Sequence, residues 1–153
     1  LSLSYNFDLK IKELGYPLVF KIIAKDSDNE VESNSVEIKD PLIGNWIIHE
    51  TKTEQNGNVT IGILDECEKK SYLFFNENGK TDSFQYYTLN GTCELDKFES
   101  TWNNYGVNLY NVDGNNVVIK FPDNETFEAH VEFEEEINGV LTEFKSTITY
   151  KRK

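Results

Sequence analysis

The feature that most constrains the fold of this chain is a set of five Asx-Gly dipeptides that separate short alternating segments. An Asx-Gly pair favours the two-residue turn of an antiparallel hairpin, because both turn positions need a positive φ. The five pairs are Asn56-Gly57, Asn78-Gly79, Asn90-Gly91, Asp113-Gly114 and Asn138-Gly139. Segments in which apolar and polar residues alternate lie near residues 43–50, 71–76, 83–89, 97–103, 107–112, 116–121, 125–134 and 140–152. The pattern therefore predicts about eight antiparallel strands joined by hairpins.

A closed up-and-down barrel is the arrangement that leaves such strands without exposed sheet edges. We therefore expect residues 42–153 to form an all-β, eight-stranded antiparallel barrel. Residues 58–70 leave room for one helical turn near Asp65-Glu66. No other stretch carries the 3.6-residue apolar period that a helix would need.

The first forty residues predict a separate β segment. Every second residue of Tyr5–Ile11 is apolar, and further strands are expected over 18–25 and 34–39, with a polar turn at Asp26–Glu30 between them. Three strands cannot cover their own apolar face. The segment resembles the last strands of an immunoglobulin-like or fibronectin-like module, so residues 1–40 are interpreted as part of an incomplete β-sandwich. Docking of these strands on the barrel or on another chain is the alternative.

Strand alternation also predicts which side chains point into the barrel. The expected interior contains Trp46, Phe98, Trp102, Val117, Ile119, Phe121, Phe127, Val131, Phe133, Phe144, Ile148 and Tyr150. Such side chains either fill an eight-stranded barrel or leave room for one small ligand, and the sequence leaves both open. In a hollow barrel, the ligand cavity would be lined by Trp46, Trp102, Phe127, Phe144 and Tyr150.

The charge of the chain excludes several classes of partner. Its net charge is −12, with 27 acidic and 15 basic residues, whereas nucleic acids and anionic membrane surfaces are bound by clustered Lys and Arg. No apolar run is long enough for a transmembrane segment. The chain begins at Leu1 and contains no Met, so we expect it to be a mature or truncated product.

The sequence carries no recognisable catalytic motif, so we predict that the protein is not an enzyme and needs no cofactor. Its two histidines, His49 and His130, are expected on polar strand faces. A weak calcium candidate is the alternating set of oxygen ligands at Asp26, Asp28 and Glu30. This run lacks the glycine and the distal glutamate of an EF-hand, and a solvated turn explains it better, so no metal site is predicted.

The chain has two cysteines, Cys67 and Cys93, and neither belongs to a C-x-x-C pair. A zinc site or a thioredoxin-type redox site is therefore disfavoured. The two residues could form a disulfide or remain as two buried thiols.

An ordered set of motifs makes the chain similar to a known family. A Gly44-x-Trp46 opening is followed by Asp65-x-Cys67, by Cys93 and by Thr101-Trp102. This order resembles the lipocalin-like domains of exported lipoproteins from Bacteroidetes-type bacteria, over residues 42–153. The resemblance implies that the two cysteines are paired. It also implies that Trp46 packs across the closed end of the barrel against a basic residue of the last strand, for which Arg152 has suitable parity.

These expectations lead to a non-enzymatic binding module. We expect it to be exported, at a bacterial cell surface, associated with the outer membrane or extracellular, as the terminal domain of a larger surface lipoprotein. In the favoured version it binds a protein or glycan partner. In the alternative it carries a small hydrophobic ligand inside the barrel.

Overall fold

The computed structural model describes residues 18–21, 23–25, 30–32, 35–106 and 108–153. Within these ranges the chain forms strands and one short 3₁₀ helix, Glu68–Lys70. The strands are β1 (Leu18–Phe20), β2 (Ile23–Lys25), β3 (Glu30–Glu32), β4 (Val36–Ile38), β5 (Gly44–Gln55), β6 (Asn58–Gly62), β7 (Tyr72–Phe75), β8 (Lys80–Leu89), β9 (Thr92–Asn104), β10 (Leu109–Val112), β11 (Asn115–Asp123), β12 (Thr126–Ile137) and β13 (Val140–Arg152).

Eight of these strands close into an antiparallel barrel. The order around the ring is β5, β7, β8, β9, β10, β11, β12 and β13, and β13 pairs back with β5 from Phe144↔Gln55 to Arg152↔Trp46. The predicted eight-stranded, all-β barrel is thereby confirmed. An additional strand, β6, pairs with the far half of β5. This strand was not predicted from the sequence, and it lies within the segment 58–70 where one helical turn was expected. The only helical residues of that region are Glu68–Lys70.

Four of the five Asx-Gly pairs form two-residue hairpin turns. The Asx residues Asn56, Asn90, Asp113 and Asn138 have φ between 50° and 52°, and the glycines that follow them also have positive φ. Each pair joins strand residues that are directly opposite, such as Leu89 and Thr92. The fifth pair, Asn78-Gly79, closes a wider loop in which the backbone N–H of Asn76 donates to the carbonyl of Lys80 at 2.8 Å.

The hydrophobic core occupies one end of the barrel, which we call the base. Its largest fully buried side chains are Trp46, Phe75, Phe127, Leu42 and Ile119. The rings of Trp46 and Phe127 meet edge to face with centroids 4.8 Å apart, a geometry that adds to the energy of burial. The turns at Asn56-Gly57, Asn90-Gly91 and Asn138-Gly139 all lie at the opposite, upper end, because β5, β8 and β12 run away from the base.

The upper half of the barrel wall is incomplete. The β10–β11 hairpin turns at Asp113-Gly114, where the N–H of Asp113 bonds to the carbonyl of Thr101, so it ends well below the other hairpins. Above this height the wall consists of two parts. One is the β8–β9 hairpin, and the other is the sheet formed by β12, β13, β5 and β6. Their inward faces enclose a space that is open to solvent, which we call the cup.

The described N-terminal residues form two small antiparallel pairs, β1 with β4 and β2 with β3. Of the residues expected in the strand over 18–25, Lys21 lies outside β1 and β2, and β3 begins at Glu30, the last residue of the expected turn. The strand predicted at Tyr5–Ile11 and residues 26–29 of the predicted turn lie outside the described residues. The sandwich interpretation of residues 1–40 stays a prediction.

Candidate ligand-binding site

The base of the barrel is closed by Arg152, which lies over the indole of Trp46. The guanidinium carbon is 4.3 Å from the ring centroid, and its nitrogens donate to the carbonyls of Ile43 at 3.1 Å and Pro41 at 3.0 Å. A side chain at Gly44 would meet Arg152, because a Cβ built there would lie 2.7 Å from Nη1. The glycine of the Gly-x-Trp motif thus admits the arginine that covers the tryptophan.

The floor of the cup lies directly above this core. A cavity of about 50 Å³ is lined by Ile48, Ser71, Tyr72, Leu73, Ser83, Phe84, Gln85 and Tyr150. Tyr150 stacks on the buried Phe127 with ring centroids 4.6 Å apart. Burial raises the pKa of Tyr150 to about 12, because a charged phenolate is disfavoured away from water. The floor is therefore an apolar surface with a few hydroxyl and amide groups.

The walls of the cup carry aromatic rings. Paired residues of neighbouring strands share a face, so the register from the buried Trp102 and Phe127 upward identifies the inward side chains. On this face Phe133 and Phe144 are cross-strand partners whose rings stack at 5.3 Å. Phe98 faces inward from the opposite wall and is 51 % exposed. Phe133 is 43 % exposed, so rings on both walls are in contact with solvent.

The charges of the upper half are distributed unequally between its two faces. The inward face of β8–β9 carries Glu94 and Asp96, opposite Tyr87 and Gln85, and the inward face of β12 carries Glu135. Both carboxylates on β9, chiefly that of Asp96, raise the pKa of Tyr87, as negative charge beside a phenol does. The shift follows from the register, which places Tyr87 and the two carboxylates on one face.

The basic side chains of the same strands point outward and form ion pairs there. Lys97 contacts Asp82 and Glu99 at 3.3 and 3.1 Å. Lys52 contacts Glu50 at 2.7 Å and Lys145 contacts Glu132 at 3.4 Å. A bulge at His49 lets β5 keep Trp46 inward below it and Thr51 inward above it. Within the described strands of the upper half, no lysine or arginine faces the cup.

A disulfide joins Cys67 to Cys93 and ties one side of the cup together. The gap that it spans lies between β6 and the upper part of β8, which pair with no common neighbour among the described strands. Asp65 reinforces the link, because its carboxylate accepts hydrogen bonds from the Thr88 hydroxyl at 2.8 Å and from the N–H of Cys67 at 2.7 Å. Residues 63–71 therefore close part of the wall without forming a strand.

A second cavity, of about 390 Å³, opens at the outside of the base. Its lining is mostly polar and includes Glu37, Lys39, Asp40, Glu77, Asn78 and Asn103, with Ile43 and Trp102 behind them. Asp40 is buried, and its carboxylate accepts hydrogen bonds from Asn104 at 2.6 Å, from the Leu42 N–H at 2.8 Å and from the Tyr110 hydroxyl at 3.1 Å. Burial raises the pKa of Asp40 in opposition to these three donors.

The residues proposed from sequence as ligand lining fall into two groups. Trp46, Trp102 and Phe127 are buried in the base, whereas Tyr150 lies at the floor of the cup and Phe144 lies on its wall. Their contact with a ligand stays a prediction. Tyr87, Glu94 and Asp96 were not identified from the sequence. The available signal was strand alternation, since Glu94 and Asp96 lie an even number of residues from Trp102 on β9 and Tyr87 is paired with Glu94.

The two histidines lie on separate strands, β5 and β12. His49 is exposed at the bulge, and His130 lies on the outward face beside the Thr147 hydroxyl at 3.1 Å. Asp26 and Asp28 of the weak calcium candidate lie outside the described residues. Among the residues that are described, no three His, Cys, Asp or Glu side chains are grouped as metal ligands. None of the described helical residues belongs to a helix suited to crossing a membrane.

The chain is similar to one sequence family and to several solved structures. Residues 42–139 match the sequence family described as the lipocalin-like domain. No curated protein matches the sequence. Among solved structures, the chain is similar to an odorant-binding protein at 12 % identity, with 74 % of this chain and 72 % of that chain covered and a TM-score of 0.42. It is also similar to a bovine odorant-binding protein in complex with undecanal, at 19 % identity, with 73 % and 72 % covered and a TM-score of 0.37.

Proposed function

This chain belongs to the lipocalin-like domain family, and from that premise we propose that it is a non-enzymatic binding protein that holds a small apolar ligand in the cup. The observation that supports the proposal is the division of the barrel into a filled base and an open upper half. A concave, mostly apolar surface with a few polar groups is the usual form of a small-molecule site. The inward aromatic rings of Phe98, Phe133 and Phe144 supply the apolar part of such a surface.

The energetics of the inward aromatic rings favour a ligand. Phe98 and Phe133 are 51 % and 43 % exposed, so each leaves apolar area in contact with water. Removal of such area from water is favourable by about 25 cal/mol per Å². A ligand with an apolar chain or ring, seated on the floor beside Tyr150, would therefore gain free energy from surface that folding leaves exposed.

We also propose that the protein is exported. The disulfide between Cys67 and Cys93 is of the kind that persists in oxidising compartments outside the cytosol. Attachment to a bacterial outer membrane, and a place at the end of a larger surface lipoprotein, remain predictions from the family resemblance.

Binding of the neutral fluorescent probe N-phenyl-1-naphthylamine tests the carrier proposal. The variant Ser146→Trp places an indole on the inward face of β13, opposite Val131 and Thr53, and should weaken probe binding at least about tenfold by filling the cup. Lys145→Trp places the same side chain on the outward face of the same strand and is the matched control. Unchanged affinity in Ser146→Trp, or equal losses in both variants, would contradict the proposal.

The polar cleft at the base favours a second candidate, recognition of a glycan. Its amides, Asn78 and Asn103, offer both donors and acceptors, as sugar hydroxyls require, and its volume of about 390 Å³ is within the range of small-molecule sites. A glycan array would test this candidate, with Asn103→Ala expected to abolish any signal. A negative array, or a signal that survives this substitution, would exclude the cleft as a glycan site.

A further inference from the structure

The inward and outward faces of the β8–β9 hairpin differ in how their charges are neutralised. On the outward face of β8 and β9, Asp82 and Glu99 share Lys97. On the inward face of the same hairpin, Glu94 and Asp96 have no basic partner among the described residues. On the opposite wall, the outward Glu132 contacts Lys145, and neither the inward Glu135 nor the outward Glu134 and Glu136 contact a cation within the described ranges.

Such an arrangement creates a negative potential inside the cup. A concave site lined by one sign of charge concentrates the field and attracts ions of the opposite sign. The higher pKa of Tyr87 is consistent with this potential, because its hydroxyl lies beside Asp96 and Glu94. An anionic ligand would have to approach these carboxylates against their repulsion, whereas a cationic ligand would neutralise them.

The aromatic rings of the cup also suit a cation. The negative face of an aromatic ring attracts a nearby ammonium group, with an energy that rises as water is excluded. Phe98 lies on the same inward face of β9 as Asp96, two residues away. Phe133 and Phe144 form the opposing stacked pair, with Glu135 two residues beyond Phe133 on β12. Aromatic and carboxylate groups are therefore neighbours on the inward face of both walls.

We propose that the ligand of the cup is an apolar organic cation, with its hydrocarbon part on the aromatic floor and walls and its ammonium group beside Glu94, Asp96 and Glu135. This inference rests on the proposed carrier function and adds the chemical class of the ligand. The site is the cup itself, and the three carboxylates determine which apolar compounds it prefers.

Three probes with the same alkyl chain and different head groups test the inference. Decyltrimethylammonium, 1-decanol and decyl sulfate are each titrated below their micelle concentrations, in competition with N-phenyl-1-naphthylamine. We expect the ammonium compound to bind about tenfold more tightly than decanol and the sulfate to bind more weakly than decanol, since each partly exposed charge pair contributes a few-fold. The preference should shrink as NaCl is raised.

Substitutions with a matched control assign the preference to the inward face. The double variant Glu94→Gln/Asp96→Asn should bring the affinities for the ammonium compound and decanol to within about twofold, with the affinity for decanol unchanged. Glu99→Gln removes a carboxylate from the outward face of the same strand and should leave the preference intact. Urea unfolding of each variant checks that the fold is retained.

The outcomes separate this inference from the function on which it rests. Binding of the neutral probe with no preference for the ammonium compound would overturn the cation proposal and leave the carrier function standing. A preference that survives the double variant would overturn the role of the two β9 carboxylates. Absence of binding by the naphthylamine and by all three alkyl probes would overturn the carrier function itself.

Discussion

Replacement of Arg152 by methionine should destabilise the barrel strongly, because Arg152 joins the last strand to the segment that precedes the first. Its guanidinium donates to the carbonyls of Pro41 and Ile43 at 3.0 and 3.1 Å and to that of Asn124 at 3.3 Å. It also lies over the ring of Trp46 at 4.3 Å. Methionine keeps a stem of similar length and removes the charge and every donor.

The magnitude follows from these contacts. A hydrogen bond that involves a charged group contributes about 1.5–3 kcal/mol, and a cation–π contact contributes about 0.5–2 kcal/mol. Because Arg152 is only half-buried, solvent screening places each contribution at the lower end. Counting the two shorter bonds and the ring contact, we expect Arg152→Met to lower the free energy of unfolding by about 3–4 kcal/mol. Arg152→Lys should have a free energy of unfolding between those of the unmodified protein and Arg152→Met, since an ammonium group keeps the charge but cannot reproduce the planar fork of the guanidinium.

Urea unfolding followed by tryptophan fluorescence measures this loss, and Trp46 reports directly on the affected contact. Lys151→Met is the matched control, because Lys151 is exposed and its side chain alternates with that of Arg152. It should change the free energy of unfolding by less than about 0.5 kcal/mol. A loss below about 1 kcal/mol in Arg152→Met, or equal losses in the two variants, would refute the role assigned to Arg152.

Two further predictions concern the disulfide and the floor of the cup. Cys67→Ser/Cys93→Ser should lower the free energy of unfolding by about 3.5 kcal/mol, the value that the chain-entropy description gives for a sequence separation of 26. Urea unfolding measures this loss, and adding reductant to the unmodified protein should produce an equal one. Tyr150 has its folded-state pKa raised to about 12 from 10.0, so its contribution to stability is complete below pH 10 and is lost as the pH rises toward 12, by at most about 2.7 kcal/mol. Tyr150→Phe should lack this alkaline loss, and Tyr105→Phe, at a residue 61 % exposed, should retain it; identical alkaline profiles for all three proteins would contradict the assignment.

The hairpins were the part of the fold that sequence could predict best, because an Asx-Gly pair specifies its own backbone conformation. Asn56, Asn90, Asp113 and Asn138 adopt the positive φ that the pattern requires. Strand β6 was missed because Asn58–Gly62 is exposed along its whole length, so no burial imposes a clear apolar alternation there. Its existence depends on pairing with β5, which is a tertiary property.

The candidate site could be predicted only in part, since alternation gives the direction of a side chain and not its height in the barrel. The inward direction of Phe127 and Phe144 follows from sequence alone. That Phe127 is buried while Phe144 lies on the wall of the cup depends on how far the β10–β11 hairpin extends. The bulge at His49, which changes the parity of β5, leaves no mark in the local pattern.

The contrast between a packed base and a solvated upper half has a consequence for how such a protein can diversify. Residues such as Trp46, Phe75 and Phe127 are fully buried and contribute strongly to the free energy of folding, whereas Phe98 and Phe133 on the inward face of the upper strands remain in contact with water. Substitutions at the latter positions cost little stability. One scaffold could therefore acquire new ligands through substitutions in the upper half of the barrel, because these leave the packing of the base unchanged.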